Sequence, residues 1–189
     1  DMLDKYPCLK KLAARRGERD IVVTTMSVSM PWAELTQTPL DFAAVDSAMG
    51  HGADFAYGIA LAQPARRVLC LNGDGSMLMC LGTLVTITGR PAPNFTLIIT
   101  ENGTYEVTGN QPVPGAGSVD FEALARAAGV KEVHTIDTEA DFDAKLDLHF
   151  TAPGPAVFIW RIERADEPVP VPTSPIRQRA EDLRAALAI

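Results

Sequence analysis

The chain has 189 residues, 47% hydrophobic and 22% charged, with a formal net charge of −7 and a pI near 4.9. That length suits one ordinary domain with a sizeable core, and an acidic balance with scattered Lys and Arg argues against a nucleic-acid surface. No apolar run reaches the ~20 residues of a membrane span and no basic-then-apolar leader is seen, so a soluble, cytoplasmic protein with neither a nucleic-acid nor a membrane partner is expected.

Met2 to Arg16 carries Leu3, Tyr6, Leu9, Leu12 and Ala13 at helical spacing and predicts an amphipathic helix. Asp20 to Thr25 reads as a buried strand, followed by a Ser/Met/Pro loop around Pro31-Trp32. The small-residue run Met49 to Ala62 predicts a helix stopped by Pro64, and Arg67 to Asn72 the next strand. A helix is expected from Ser76 to Thr88, a strand from Phe95 to Thr100, and a long loop from Asn102 to Ser118. Loops of that length in a compact domain usually serve function. Then come a helix (Val119 to Ala128), a strand (Val130 to Ile136), a helix (Ala140 to Phe150) and a continuously apolar strand, Ala156 to Ile162. Residues 1–165 form the expected domain. Residues 166–189 read as a stiff connector with Pro168, Pro170, Pro172 and Pro175, then a helix from Ile176 to Ile189 that packs on the domain or on a partner. Alternating strands and helices predict an α/β fold, a three-layer α/β/α arrangement about a mainly parallel sheet.

Cys8, Cys70 and Cys80 are odd in number and lack Cys-x-x-Cys spacing, which argues against a disulfide framework and an iron-sulfur site. Asn94-Phe95-Thr96 and Asn102-Gly103-Thr104 match the glycosylation pattern, without consequence for a cytoplasmic chain.

Chemistry concentrates at two strand ends. Gly73-Asp74-Gly75-Ser76 follows one predicted strand, and Glu101-Asn102-Gly103-Thr104-Tyr105 follows another. In a parallel sheet both ends open on one crevice, so Asp74 and Asn102 could share a hard cation such as Mg²⁺, which takes oxygen ligands and substrate phosphates. Glycines beside Asp74 allow backbone amides to approach a phosphate, and a helix starting at Ser76 points its positive end there. A diphosphate with its Mg²⁺ fits that description. Against it stand two plainer readings: Gly-Asp-Gly is common in loops, and Asn102-Gly103 suits a hairpin turn. A nicotinamide site fails because the third position of Gly-x-Gly-x-x-Gly is Leu78.

Gly-Asp-Gly and an Asn roughly two dozen residues on resemble the thiamine diphosphate signature. Here Ser76 through Glu101 spans 26 residues. Ser47-Ala48-Met49-Gly50-His51 and Tyr105-Glu106-Val107-Thr108-Gly109-Asn110-Gln111 extend the resemblance. They are similar to segments of sulfopyruvate decarboxylase β subunits and the matching half of phosphonopyruvate decarboxylase. The resemblance covers roughly residues 20 to 165; Glu101 departs from the usual Asn or Asp.

That resemblance implies the thiamine diphosphate-binding fold and its diphosphate-gripping domain, with thiamine diphosphate and Mg²⁺ as cofactors. It implies metal ligands Asp74, Asn102 and the Thr104 carbonyl, and cofactor contacts from Gly50, Gly73, Gly75, Ser76 and Tyr105. Met49 would lie under the cofactor and bend it, and the Ser47 carbonyl would accept from its aminopyrimidine. His51 would be a catalytic candidate, donating to a phosphate or to a substrate's acidic tail. Ser27 or Ser29 could also reach the diphosphate, whereas His134 and His149 are read as structural. The ring-activating glutamate and the pyrimidine-binding domain are expected on an α-type partner chain, in an α2β2 or larger hetero-oligomer acting on a small 2-oxo acid. The expected activity is a two-chain, thiamine diphosphate-dependent carboxy-lyase. Alternatives are the β subunit of a carboligase or 2-oxo acid oxidoreductase, or a non-catalytic cofactor-binding regulatory subunit.

Overall fold

A computed structural model describes residues 2–46, 49–166, 170 and 174–187. Ser47 and the connector prolines Pro168 and Pro172 lie outside the described residues. The chain begins with α1 (Lys5–Arg15), capped by Asp4, whose side chain accepts from the Tyr6 amide. β1 (Ile21–Thr24), α2 (Ser29–Leu35), β2 (Asp41–Ala43), α3 (Gly52–Ala62) and β3 (Val68–Gly73) follow. After β3 come α4 (Asp74–Met79), α5 (Thr83–Gly89), β4 (Phe95–Glu101) and the short strands β5 (Thr104–Tyr105) and β6 (Gln111–Pro112). The remainder is α6 (Phe121–Ala127), β7 (Glu132–Ile136), α7 (Glu139–Lys145), α8 (Leu148–Thr151), β8 (Ala156–Arg161) and α9 (Ile176–Leu187).

The main sheet has six strands in the order β2-β1-β3-β4-β8-β7, and every pairing is parallel. Alternate side chains of each strand supply two separate cores, as a sheet covered on both faces requires. Val68, Cys70, Leu97, Ile99, Val157 and Ile159 face α3, α4, α5, α6 and Leu183 of α9. Leu69, Leu71, Ile98, Phe158 and Trp160 face α1, Trp32 of α2 and Phe142 of α7. Cys8, Leu9 and Leu12 of α1 are fully buried, while Lys11 on its outer side reaches Glu139 and Asp143 of α7. α9 also lies on the domain, where Arg179 donates to the Val45 carbonyl at 2.8 Å. Among the described residues no helix is long and apolar enough to cross a membrane.

Four local expectations are corrected. The helix expected over Ser76 to Thr88 begins at Asp74 and is two helices, because Cys80 leaves helical geometry at φ −132°, ψ 49° and Gly82 starts the second. The Ser/Met/Pro segment holds a 3₁₀ turn, α2 and the three-residue edge strand β2, too short to show period-2 patterning. The loop after Asn102 folds back as the β5–β6 hairpin. The last crossover helix is divided into α7 and α8.

His149 sits in the second core with no exposed surface. Its Nδ1–H donates to the Lys145 carbonyl at 3.0 Å, its Nε2 accepts from Trp160 Nε1 at 3.0 Å, and its ring stacks on Phe158. Burial pushes its pKa down from 6.5 to about 4, so the native ring is neutral. The unfolded chain then binds the extra proton, and stability falls as pH drops from 6.5 towards 4, by roughly 3 kcal/mol over the whole window. Denaturant unfolding at pH 7 and pH 4.5 should show this loss, and His149→Gln should flatten the slope. An unchanged slope in the variant would assign the acid sensitivity elsewhere.

Candidate active site

The strand order reverses between β1 and β3, since the chain runs from β1 outward to β2 and returns on the other side. In open α/β sheets, ligands bind outside the carboxyl ends of strands at such a switch point. A cavity of about 430 Å³ opens there. Its walls come from residues after β1 (Met26, Ser27), at the end of β3 and after it (Gly73 to Ser76) and after β4 (Asn102, Thr104 to Thr108), together with Met49, Gly50 and Met79. Parallel register makes the β3 and β4 ends level, because Gly73 pairs with Thr100.

Asp74 is only 2% exposed, yet it lines this cavity. One carboxylate oxygen accepts from the Gly75 amide at 2.7 Å; the other accepts from Gly103 at 2.7 Å and Asn102 at 3.2 Å. Burial raises its pKa, the three backbone donors oppose that rise, and the nearby Glu106 charge adds to it. No Lys, Arg or His among the described residues forms an ion pair with it. A carboxylate offers about four lone-pair positions, so three amides leave one for an ion. Asn102 Oδ1 accepts from the Thr104 amide at 2.9 Å and keeps its second lone pair, and the Thr104 hydroxyl donates to Asn110 Oδ1 at 3.0 Å. A buried, cation-free carboxylate beside an amide oxygen fits a hard divalent ion.

The two motif glycines differ in purpose. A Cβ on Gly73 would meet nothing within 4 Å, whereas one on Gly75 would lie 2.3 Å from the Tyr105 ring. Gly75 is therefore required by the packing of Tyr105 over it as well as by any phosphate. Ser76 lines the cavity at 9% exposure.

Met49, which also lines the cavity, is 55% exposed and not a core residue. Gly50 has φ +85°, and a Cβ there would come within 2.7 Å of Met79 Cβ, so the turn before α3 is seated tightly on the end of α4. His51 is not among the residues lining the cavity; it stands beside it, with Nδ1 2.7 Å from Asp54 Oδ2. Of the two serines considered, Ser27 reaches the cavity, while Ser29 is buried away from it. Glu101 turns to Arg161 of the neighbouring strand at 3.3 Å.

Sequence reasoning missed Met26, Met79 and Glu106. Glu106 is 3% exposed and accepts from Lys5 Nζ and from the Ala165 amide, each at 2.6 Å. Burial would raise its pKa, but the donors Lys5, Ser27 and Ala165 hold it below the usual range. Its partners lie at opposite ends of the chain, so no local spacing announces it.

The family model described as "Thiamine pyrophosphate enzyme, C-terminal TPP binding domain" matches residues 23–159. Phosphonopyruvate decarboxylase of Streptomyces viridochromogenes is 34% identical over 58% of this chain and 27% of its own length. Sulfopyruvate decarboxylase subunit beta of Methanocaldococcus jannaschii is 31% identical over 69% of each chain. The chain thus spans about a quarter of the first relative and about two thirds of the second. The structure of Rhodococcus jostii thiamine diphosphate-dependent 4-hydroxybenzoylformate decarboxylase superposes with a TM-score of 0.76 at 26% identity, over 88% of this chain and 34% of that one. With the cavity at the strand ends and the match across most of the chain, this protein belongs to the family of thiamine pyrophosphate enzyme C-terminal TPP-binding domains.

Proposed function

We propose that this chain is the diphosphate- and Mg²⁺-binding subunit of a two-chain, thiamine diphosphate-dependent 2-oxo acid decarboxylase. One observation carries the reading: a buried carboxylate, Asp74, lines a cavity at the switch point, and among the described residues no Lys, Arg or His pairs with it. Asp74, Asn102 and Thr104 would hold the metal. Gly73, Gly75, Ser76 and Tyr105 would receive the diphosphate, and Met49 and Gly50 the rings. The cofactor supplies carbanion stabilisation after loss of CO₂. The chain's own task is to bind and orient it, and the apolar Met49 can shape it without offering a proton. His51, at the edge, would act on the acidic tail of the substrate. The activating glutamate would come from an α-type partner, a reading supported by relatives named as beta subunits.

Three measurements test this. The chain alone should bind Mg²⁺ and thiamine diphosphate weakly and release no CO₂ from 2-oxo acids, with activity appearing on addition of a chain carrying the pyrimidine-binding domain. Robust turnover by the chain alone would end the split-site reading. Asp74→Asn and Asn102→Leu should each weaken cofactor binding to the assembled enzyme by about tenfold or more, roughly 1.4 kcal/mol, with the fold retained by circular dichroism. Unchanged titrations would remove these residues from the metal site. Met49→Ala, at an exposed position, should leave the melting temperature unchanged and lower turnover more than cofactor affinity. A large stability loss of roughly 2–5 kcal/mol with normal turnover would mark Met49 as packing instead.

A further inference from the structure

Beside the cofactor cavity, three metal-ligating side chains of different chemistry converge: His51 from the turn before α3, Asp54 from its first turn, and Cys80 from the end of α4. One ligand atom from each lies within 4.8 Å of the others, and among the described residues no second group of three or more His, Cys, Asp or Glu does so. The Cys80 sulfur stands 3.5 Å from His51 Nε2 and 3.6 Å from Nδ1. Tetrahedral zinc, with Zn–S of about 2.3 Å and Zn–N of about 2.05 Å, holds thiolate and imidazole ligands about 3.5 Å apart. The sulfur is nearly equidistant from the two ring nitrogens and so faces the ring; a rotation of the exposed His51 side chain, with Nδ1 leaving Asp54, turns a nitrogen lone pair toward an ion held by the sulfur at about that separation. One oxygen of Asp54 accepts from the Thr83 hydroxyl, which orients the carboxylate and leaves its other oxygen facing His51 at 2.7 Å. Ligating carboxylates are commonly steadied by such an outer hydrogen bond.

The backbone beneath the cluster is tightly packed. Gly50, next to His51, admits no Cβ because Met79 Cβ, Cys80 Sγ and the Ser76 carbonyl crowd it at 2.7, 3.1 and 3.2 Å. The side chains themselves remain open to solvent, with His51 54% and Asp54 40% exposed, so an ion can enter and small rotations can open the His51–Asp54 contact.

We propose that Cys80, His51 and Asp54 form a second metal site, selective for zinc-like ions, with its remaining position open to water. Thiolate and imidazole select borderline metals such as Zn²⁺ or Co²⁺, whereas the Asp74–Asn102 oxygens suit Mg²⁺. The two sites are therefore separable by metal. Desolvation, with the Asp54 charge, keeps the free thiol protonated, and the arriving ion displaces that proton to the solvent. Cys8 and Cys70 are fully buried and cannot compete. The inference does not depend on how His51 meets a substrate, nor on the decarboxylase reading.

The test uses the full chain, kept reduced with a non-chelating phosphine, in excess Mg²⁺. Titration with Zn²⁺ against a chromophoric chelator should show one equivalent bound. Co²⁺ should give a thiolate-to-cobalt charge-transfer band with tetrahedral visible absorption. Cys80→Ser should abolish that band. Cys80→Ser and His51→Ala should each weaken Zn²⁺ binding by more than the roughly 10–100-fold that loss of an outer hydrogen-bond partner costs. Asp54→Asn should weaken it at least tenfold. Asp74→Asn should bind Zn²⁺ normally, which separates this site from failure of the cofactor reading. Absence of stoichiometric Zn²⁺ binding, or binding unchanged in Cys80→Ser and His51→Ala with circular dichroism unaltered, would overturn the proposal.

Discussion

The grip of three backbone amides on the Asp74 carboxylate organises the cavity end of this domain. Gly75 belongs to the same helix as Asp74, but Asn102 and Gly103 belong to the next strand's exit, so one side chain ties the β3 and β4 ends together. Backbone donors to a carboxylate favour its charged form, while burial opposes it. The balance leaves a net rise in its pKa, with burial the largest cause. One side chain thus both ties the two strand exits together and lines the cavity, with a lone pair left over.

Much of this was legible because the relevant signals are local. Continuous apolar strands at Val68 to Leu71 and Phe95 to Ile99 announce a sheet buried on both faces, and Gly-Asp-Gly directly after the first of them marks the strand end. The spacing to Asn102 adds the second half of the site, and level register brings the halves together. What escaped is what depends on distant partners. Glu106 looked like one more polar loop residue until Lys5 and Ala165 met it. Gly75 reads as a phosphate glycine, although the Tyr105 ring alone would demand it. The break at Cys80 was hidden because the apolar pattern runs through it unbroken, and only backbone geometry shows the stop.

Two clusters of different donor chemistry lie beside one cavity. Asp74 and Asn102, at the strand ends, line the cavity with oxygen donors, while the sulfur of Cys80 and the imidazole of His51 meet just outside its lining. The turn at Gly50 adjoins both, lining the cavity itself and carrying His51 next to it.

The all-parallel sheet also shapes how the site comes into being during folding. No pair of neighbouring strands in it is joined by a tight turn; each ladder closes only after an intervening helix or more has been spanned. Loop-closure entropy therefore precedes every gain from strand pairing, and topologies of this kind assemble slowly. β3 and β4 are consecutive in both sequence and space, so the Asp74–Gly103 contact needs one crossover, α4 with α5. The remaining wall needs β1 docked against β3, and the Glu106 clasp needs α1 and the residues after β8 as well. The half of the cavity built on Asp74 and Asn102 is thus local in origin, and its enclosing half is the product of the completed fold.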